Sequence, residues 1–286
     1  MFSRFMAFIA AVIFFLGCAA SLKAADTSFD CPSTDNYQQP HKFGPYTAQL
    51  LPGHKPQGKQ RFEFRCLGTI TPPGGVRKLI AKDWTLTIDP ISGTDVNGDG
   101  KPDLIFDGHT SGARCCYEYW IAGLSKLPRL EKQIRSELPI SFEKTENGVL
   151  ISIPEAAFQY FLLPAEQSVT PNVILKLEGS TLKDVSAQNQ SEYDDLIAKA
   201  KAQLAPADLE KFHNSRYNDK LFSDQLPTVR LVLTIVLNYL YSGREAQAWQ
   251  AFQEMWPPTD QSRAKSIILE RRGRGVLSEL GLPAQR

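Results

Sequence analysis

The run Asp95-Val96-Asn97-Gly98-Asp99-Gly100-Lys101-Pro102-Asp103 places oxygen-bearing side chains at its first, third, fifth and ninth positions. Gly100, at the sixth, allows the sharp turn that wraps those oxygens round one point, and Lys101, at the seventh, offers its backbone carbonyl. Carboxylates brought to about 4 Å repel by roughly 4 kcal/mol per pair at an effective dielectric of about 20. A bound dication turns that repulsion into attraction. An all-oxygen donor set selects a hard cation, and a flexible loop favours calcium over magnesium. The expected cofactor is one structural calcium ion (Ca2+) held by Asp95, Asn97, Asp99, Lys101 and Asp103. The competing reading is a metal-free Asx-type turn, because Asp, Asn and Gly favour turns in any case.

The loop is not a complete EF-hand, since its twelfth position is Phe106 and not a bidentate glutamate, and the residues after Asp103 read as a strand. It resembles instead the calcium loop of FG-GAP and VCBS repeats, where D-x-[DN]-x-D-G-x-x-D-[LI] leads into a strand of a β-propeller or related β fold. The resemblance implies calcium on the same five residues. Those families repeat the loop, whereas this chain has one clear copy, so a full propeller is not expected. Immediately downstream, Asp107-Gly108-His109-Thr110-Ser111-Gly112-Ala113-Arg114-Cys115-Cys116-Tyr117 resembles a pattern of uncharacterised secreted bacterial proteins. In these such a loop precedes Gly-Ala-x-Cys-Cys and a tyrosine-rich strand, which implies an envelope protein.

Other residues invite catalytic readings. Asp107, His109 and Ser111 suggest a hydrolase, yet no G-x-S-x-G elbow surrounds Ser111, and a polar loop beside the metal is the plainer expectation. His41, His54 and His213 lie in separate polar stretches without zinc spacing. Tyr117, Tyr119 and Trp120 crowd one segment and suggest a glycan platform. Strand alternation puts Tyr117 and Tyr119 on one face and Trp120 on the other, and core packing competes for all three.

The first 24 residues have the layout of a secretory signal peptide: Arg4, an unbroken apolar run from Ala7 to Phe15, then Ala19, Ala20, Ala24 and Ala25. Cleavage is expected near Ala24 or Ala25, with lipid anchoring through Cys18 as the alternative, disfavoured because Phe15 stands where a branched aliphatic residue is preferred. Removing residues 1–24 takes away Arg4 and Lys23 and leaves 30 basic and 31 acidic residues, a net charge of −1. Such a chain has no broad basic field for nucleic acid. The one local bias is Arg263, Lys265, Arg271, Arg272, Arg274 and Arg286 against Asp260, Glu270 and Glu279, read as a solvated helix face.

Four cysteines remain, Cys31, Cys66, Cys115 and Cys116, an even number for an oxidising compartment, and two disulfides are expected with three connectivities open. A redox or soft-metal role for the adjacent pair is the alternative. A bridge between adjacent cysteines is strained, and strand neighbours point to opposite faces. A crossed arrangement, with Cys115 and Cys116 reaching Cys31 and Cys66, is therefore preferred to Cys31–Cys66 with a vicinal bridge.

The elements that must position these groups divide the chain in two. Residues 25–186 read as an antiparallel β domain, a meander of propeller-like or sandwich-like form. Arg61–Cys66 and Asp83–Ile88 alternate, the first burying Phe62, Phe64 and Cys66 and the second Trp84, Leu86 and Ile88. Hairpin turns are expected at Asn147-Gly148 and Gly179-Ser180. Residues 187–286 read as helical. Ser191 is the expected cap of a helix burying Leu196, Ile197, Ala200 and Leu204, and Pro206 opens the next. Val229–Tyr241 is a core helix, too short for a bilayer. Ser242 and Glu245 form a capping box before a helix ending at Pro257-Pro258, and a last helix runs from Asp260 to Arg272. Tyr239, Gly243, Ala248 and Phe252 resemble the packing positions of one tetratricopeptide hairpin, with a generic helical hairpin as the alternative.

The fold class expected is α+β. The function expected is a secreted or periplasmic calcium-binding protein, a non-catalytic binding or scaffold module of the cell envelope with a protein or glycan partner, and no nucleic acid. The alternative is an envelope enzyme, hydrolytic or thiol-based, centred on residues 95–120.

Overall fold

The computed structural model describes residues 40–53, 66–112, 115–216 and 224–283, and only the backbone of Ser111, Gly112 and Cys115. Among the described residues, twelve strands form three antiparallel sheets, each a meander of four consecutive strands. Sheet A holds β1 (His41–Phe43), β2 (Tyr46–Pro52), β3 (Cys66–Thr71) and β4 (Lys78–Asp83). Sheet B holds β5 (Thr85–Ile88), β6 (Asp103–Gly112), β7 (Cys115–Gly123) and β8 (Arg129–Ser136). Sheet C holds β9 (Ser141–Thr145), β10 (Gly148–Pro154), β11 (Asn172–Glu178) and β12 (Thr181–Asp184). The helices follow: α1 (Gln190–Gln203), α2 (Pro206–His213), α3 (Leu226–Tyr241), α4 (Glu245–Met255), α5 (Gln261–Gly273) and the short α6 (Val276–Glu279). The α+β class, with antiparallel strands first and helices after, is thus observed.

Sheet B is the middle layer, and its alternation shows why. Leu104, Phe106, Trp120 and Ala122 join a core with Ala48, Leu50, Ile70 and Ala81 of sheet A. Their neighbours Ile105, Tyr119 and Ile121 point the other way, into a core shared with sheet C and the helices. Strands covered on both faces read as continuous apolar runs, and Leu104-Ile105-Phe106 is such a run. Close approach needs a small residue opposite: a Cβ at Gly68 of β3 would lie 2.8 Å from the Phe106 ring.

Both expected hairpins are observed, β9–β10 and β11–β12, but the first turns one residue earlier than expected, at Glu146-Asn147, because Gly148 already belongs to β10 and pairs with Thr145. Other expectations need correction. Asp83–Ile88 is not one strand, because β4 ends at Asp83 and β5 begins at Thr85, so half-buried Trp84 marks the passage between sheets. Arg61–Arg65 lie outside the described residues. Helix α1 begins one residue before Ser191, after Asn189, and buries Tyr193, Ile197 and Ala200 while Leu196 is exposed. Ser242 and Glu245 do not form a capping box: Ser242 donates to the Tyr239 carbonyl, and Glu245 accepts from Trp249 and Arg272. The apolar α3 is the centre of the helical layer, as expected, and packs on α1, α4 and β11. Ala248 and Phe252 of the expected hairpin are buried between its helices. Among the described residues no helix is long and apolar enough to cross a membrane.

The C-terminal basic cluster is more engaged than a solvated face. Arg263 is bidentate to buried Asp260, Arg272 pairs with Glu245, and Arg274 pairs with Glu270. Arg271 donates to the carbonyls of Ala157 and Gln159 and lies over the Phe161 ring. That contact ties α5 to the β10–β11 connection, where Tyr160 and Leu162 hold left-handed backbone with φ of 57° and 60°.

Candidate functional site

The Asp95–Asp103 loop connects β5 to β6 in the middle sheet. Its base is closed by two backbone bonds, from the Gly93 amide to the Asp103 carbonyl and from the Asp103 amide to the Thr94 carbonyl, both 2.7 Å. Positive φ at Gly98 and Gly100, 74° and 81°, curls the chain between these ends. Inside the curl the carboxylates take the loop's own amides. Asp95 accepts from Gly98, Asp99 and Gly100, Asn97 Oδ1 accepts from Asp99, and Asp99 Oδ1 accepts from Lys101.

Asp103 differs from its neighbours. It is fully buried, and its Oδ2 accepts from the amides of Val96 and Asn97 at 2.8 and 3.1 Å, while its buried Oδ1 has no hydrogen-bond partner. Burial pushes its pKa up to about 6; the two amides oppose that shift, and the Asp99 and Asp95 charges add to it. An orphaned carboxylate oxygen beside two more acidic groups is what a hard cation would satisfy. The five expected residues thus share one loop, with Asn97 and Asp103 buried, Asp95 half-buried, and Asp99 and Lys101 exposed. Among the described residues, however, no three His, Cys, Asp or Glu side chains are gathered as a metal-holding group. The Asp95 and Asp99 carboxylates are occupied by the loop's own amides.

The loop is also fastened to its surroundings. Val96 is buried in the core shared by sheets B and C, and the Asn97 carbonyl accepts from the Gly179 amide in the β11–β12 turn at 2.8 Å. Pro102 accepts from Leu124 in the β7–β8 connection. No sequence signal marks Gly179 as a partner, because the turn is eighty residues away and its own chemistry is already explained by the hairpin.

The residues downstream lie in strand β6, not in a polar loop. Asp107 and His109 share the face of Ile105, and the His109 ring packs against Tyr117 at 4.6 Å between centroids, tilted by 34°. The side chain of Ser111 lies outside the described residues. Across β6 and β7, Asp107 faces Tyr119, and Thr87 of β5 is its other register partner. Asp89, opposite Ile105, lies diagonally along the same face. Burial, with the nearby charges of Asp89 and Asp83, pushes Asp107 up to about 7. Tyr119 and Trp120 are buried on opposite faces, and Tyr119 accepts from the Ile140 amide, so both serve the core. His41 and His213 stand on separate elements, β1 and α2, and His54 lies outside the described residues.

Cys66 and Cys116 are both disulfide-bonded. The expected connectivity involves Cys31 and the Cys115 side chain, which lie outside the described residues. Glu155 was not singled out by sequence. It is buried at the exit of β10, where burial raises its pKa, and it accepts from the Tyr241 hydroxyl at 2.9 Å and from the amides of Ala157 and Val276.

No family model, curated protein or solved structure matches this chain.

Proposed function

We propose that the protein is a calcium-binding module of the cell envelope, with a binding or scaffold role and no catalytic one, and that the ion is held by Asp95, Asn97, Asp99, Asp103 and the Lys101 carbonyl. The observation that carries this reading is the buried Asp103 oxygen without a partner, in a loop whose other oxygens are spaced for a hard cation. Calcium would supply charge neutralisation there. It would hold the β5–β6 loop against the β11–β12 turn through the Asn97–Gly179 bond, and so help bind sheet B to sheet C.

Envelope placement has two supports: the signal-peptide layout of residues 1–24, and disulfides at Cys66 and Cys116, which persist in oxidising compartments. A protein or glycan partner remains the proposed ligand class for the module as a whole. Isothermal titration of the purified mature chain with calcium tests the reading. One ion per chain is expected, and Asp99→Ala is expected to lower affinity by about tenfold or more, the scale of one lost charge-assisted ligand. No heat of binding would reduce the loop to a metal-free turn.

A further inference from the structure

Cys66 and Cys116 are both disulfide-bonded, yet their sulfurs meet opposite surroundings. Cys66 is fully buried in the core between sheets A and B, its Sγ 3.4 Å from the Trp84 carbonyl oxygen. The buried carboxyl of Asp83 stands directly opposite it in the β3–β4 register. Apolar packing, a carbonyl oxygen and an acid all oppose negative charge on that sulfur. Cys116 belongs to neither core cluster, and its Sγ accepts from the Arg135 guanidinium, Nη2 to Sγ at 3.1 Å. The acid nearest that guanidinium is Glu118, 4.0 Å from Nε and so beyond hydrogen-bond distance.

A cation against sulfur contributes little to an intact disulfide and much to the thiolate released when the bond breaks. Exchange is faster when the leaving sulfur is better stabilised as an anion. Cys116 is only 5% exposed, which suits it to be the leaving sulfur and not the attacked one. It also stands where the β6–β7 ladder shifts register, between His109 and Gly112, so exchange there does not require a regular ladder to open.

From these contacts we infer that the disulfide carried by Cys116 is a thiol–disulfide exchange site for an external dithiol, with Arg135 as the positioning residue that holds the departing Cys116 thiolate. One thiolate of the dithiol attacks the sulfur bonded to Cys116. A new S–S bond forms there as the old one breaks, and the electron pair leaves on Cys116 Sγ. The second thiol then displaces the other cysteine of the protein. The dithiol is oxidised by two electrons to a disulfide and the protein disulfide is reduced by two; one of the dithiol's protons ends on the displaced cysteine and the other goes to solvent. The chain is the substrate of this exchange and not its catalyst, and the inference does not depend on the ion proposed for the acidic loop.

Dithiothreitol is the probe. The oxidised mature chain is exposed to graded concentrations, quenched with N-ethylmaleimide and mapped by mass spectrometry, while near-ultraviolet circular dichroism reports the fold. Alkylation at Cys116 is expected while the spectrum is still native. Arg135→Gln is expected to slow this reduction about tenfold, Arg135→Lys to restore most of the rate, and Glu118→Gln, which removes the competing acid, to raise it. A loosened fold would be reduced faster, so a slower Arg135→Gln reports the lost guanidinium and not lost stability. A Cys116 disulfide that survives until the native spectrum is lost would overturn the inference, and so would an Arg135→Gln variant reduced as fast as the unaltered chain.

Discussion

At the scale of single residues, the middle sheet carries carboxyl groups that resist ionisation. Asp107 shares its face with Asp89 and with the apolar Ile105 and Tyr119. Its folded pKa of about 7 stands above the ordinary value of 3.8, so the folded chain holds this proton more tightly than the unfolded chain does. The sign follows from linkage: stability falls as pH rises from about 4 to about 7, and the full penalty is present above that range. Asp107→Asn removes the ionisable group. It is expected to raise stability at pH 8 by roughly 1–3 kcal/mol, less than the full shift would imply because solvent still reaches this half-buried group. The variant should have little effect near pH 4. Urea unfolding at the two pH values checks both the size and the pH dependence.

At the scale of elements, two contacts decide how the layers fit. Gly68 lets sheet A approach Phe106 of sheet B, and a methyl group there would lie 2.8 Å from the ring. Gly68→Ala is expected to cost about 1–3 kcal/mol by overpacking, read from chemical denaturation. Glu155 joins the exit of β10 to the end of α3 and the start of α6. Tyr241→Phe removes one donor to that buried carboxylate and is expected to cost about 2 kcal/mol by the same measurement. The sequence showed neither contact as plainly as it showed the elements. The glycine of Leu67-Gly68-Thr69 has no turn signal near it, and the partners of Glu155 stand 86 and 121 residues along the chain. What was legible was local: the β9–β10 hairpin to within one residue of its turn, the Gly179-Ser180 turn, the apolar run of α3 and the spacing of the acidic loop. The passage between sheets at Trp84 was not legible, since a period of two shows that a segment is extended and not which sheet it joins. Helix α1 likewise turned its Tyr193 face inward, because either stripe is apolar enough and tertiary packing chose between them.

At the scale of the whole molecule, one core cluster runs through sheets B and C and the helices, and the acidic loop is anchored in it by Val96. The candidate site was legible as a set of residues and their order. Its attachments, Asn97 to Gly179 and Pro102 to Leu124, are long-range backbone bonds that no spacing encodes. Because the loop spans layers of one continuous core, an ion bound there should stabilise the cooperative unit and not merely the loop. Thermal unfolding of the mature chain in calcium and in excess chelator tests this claim most directly. At about 100 times the dissociation constant the ion contributes about 2.7 kcal/mol. For a chain of this size that corresponds to roughly a 5–10 °C rise in Tm of the main transition, a rise that Asp99→Ala should reduce or abolish. A transition that stays at the same temperature with calcium and with chelator would contradict the account.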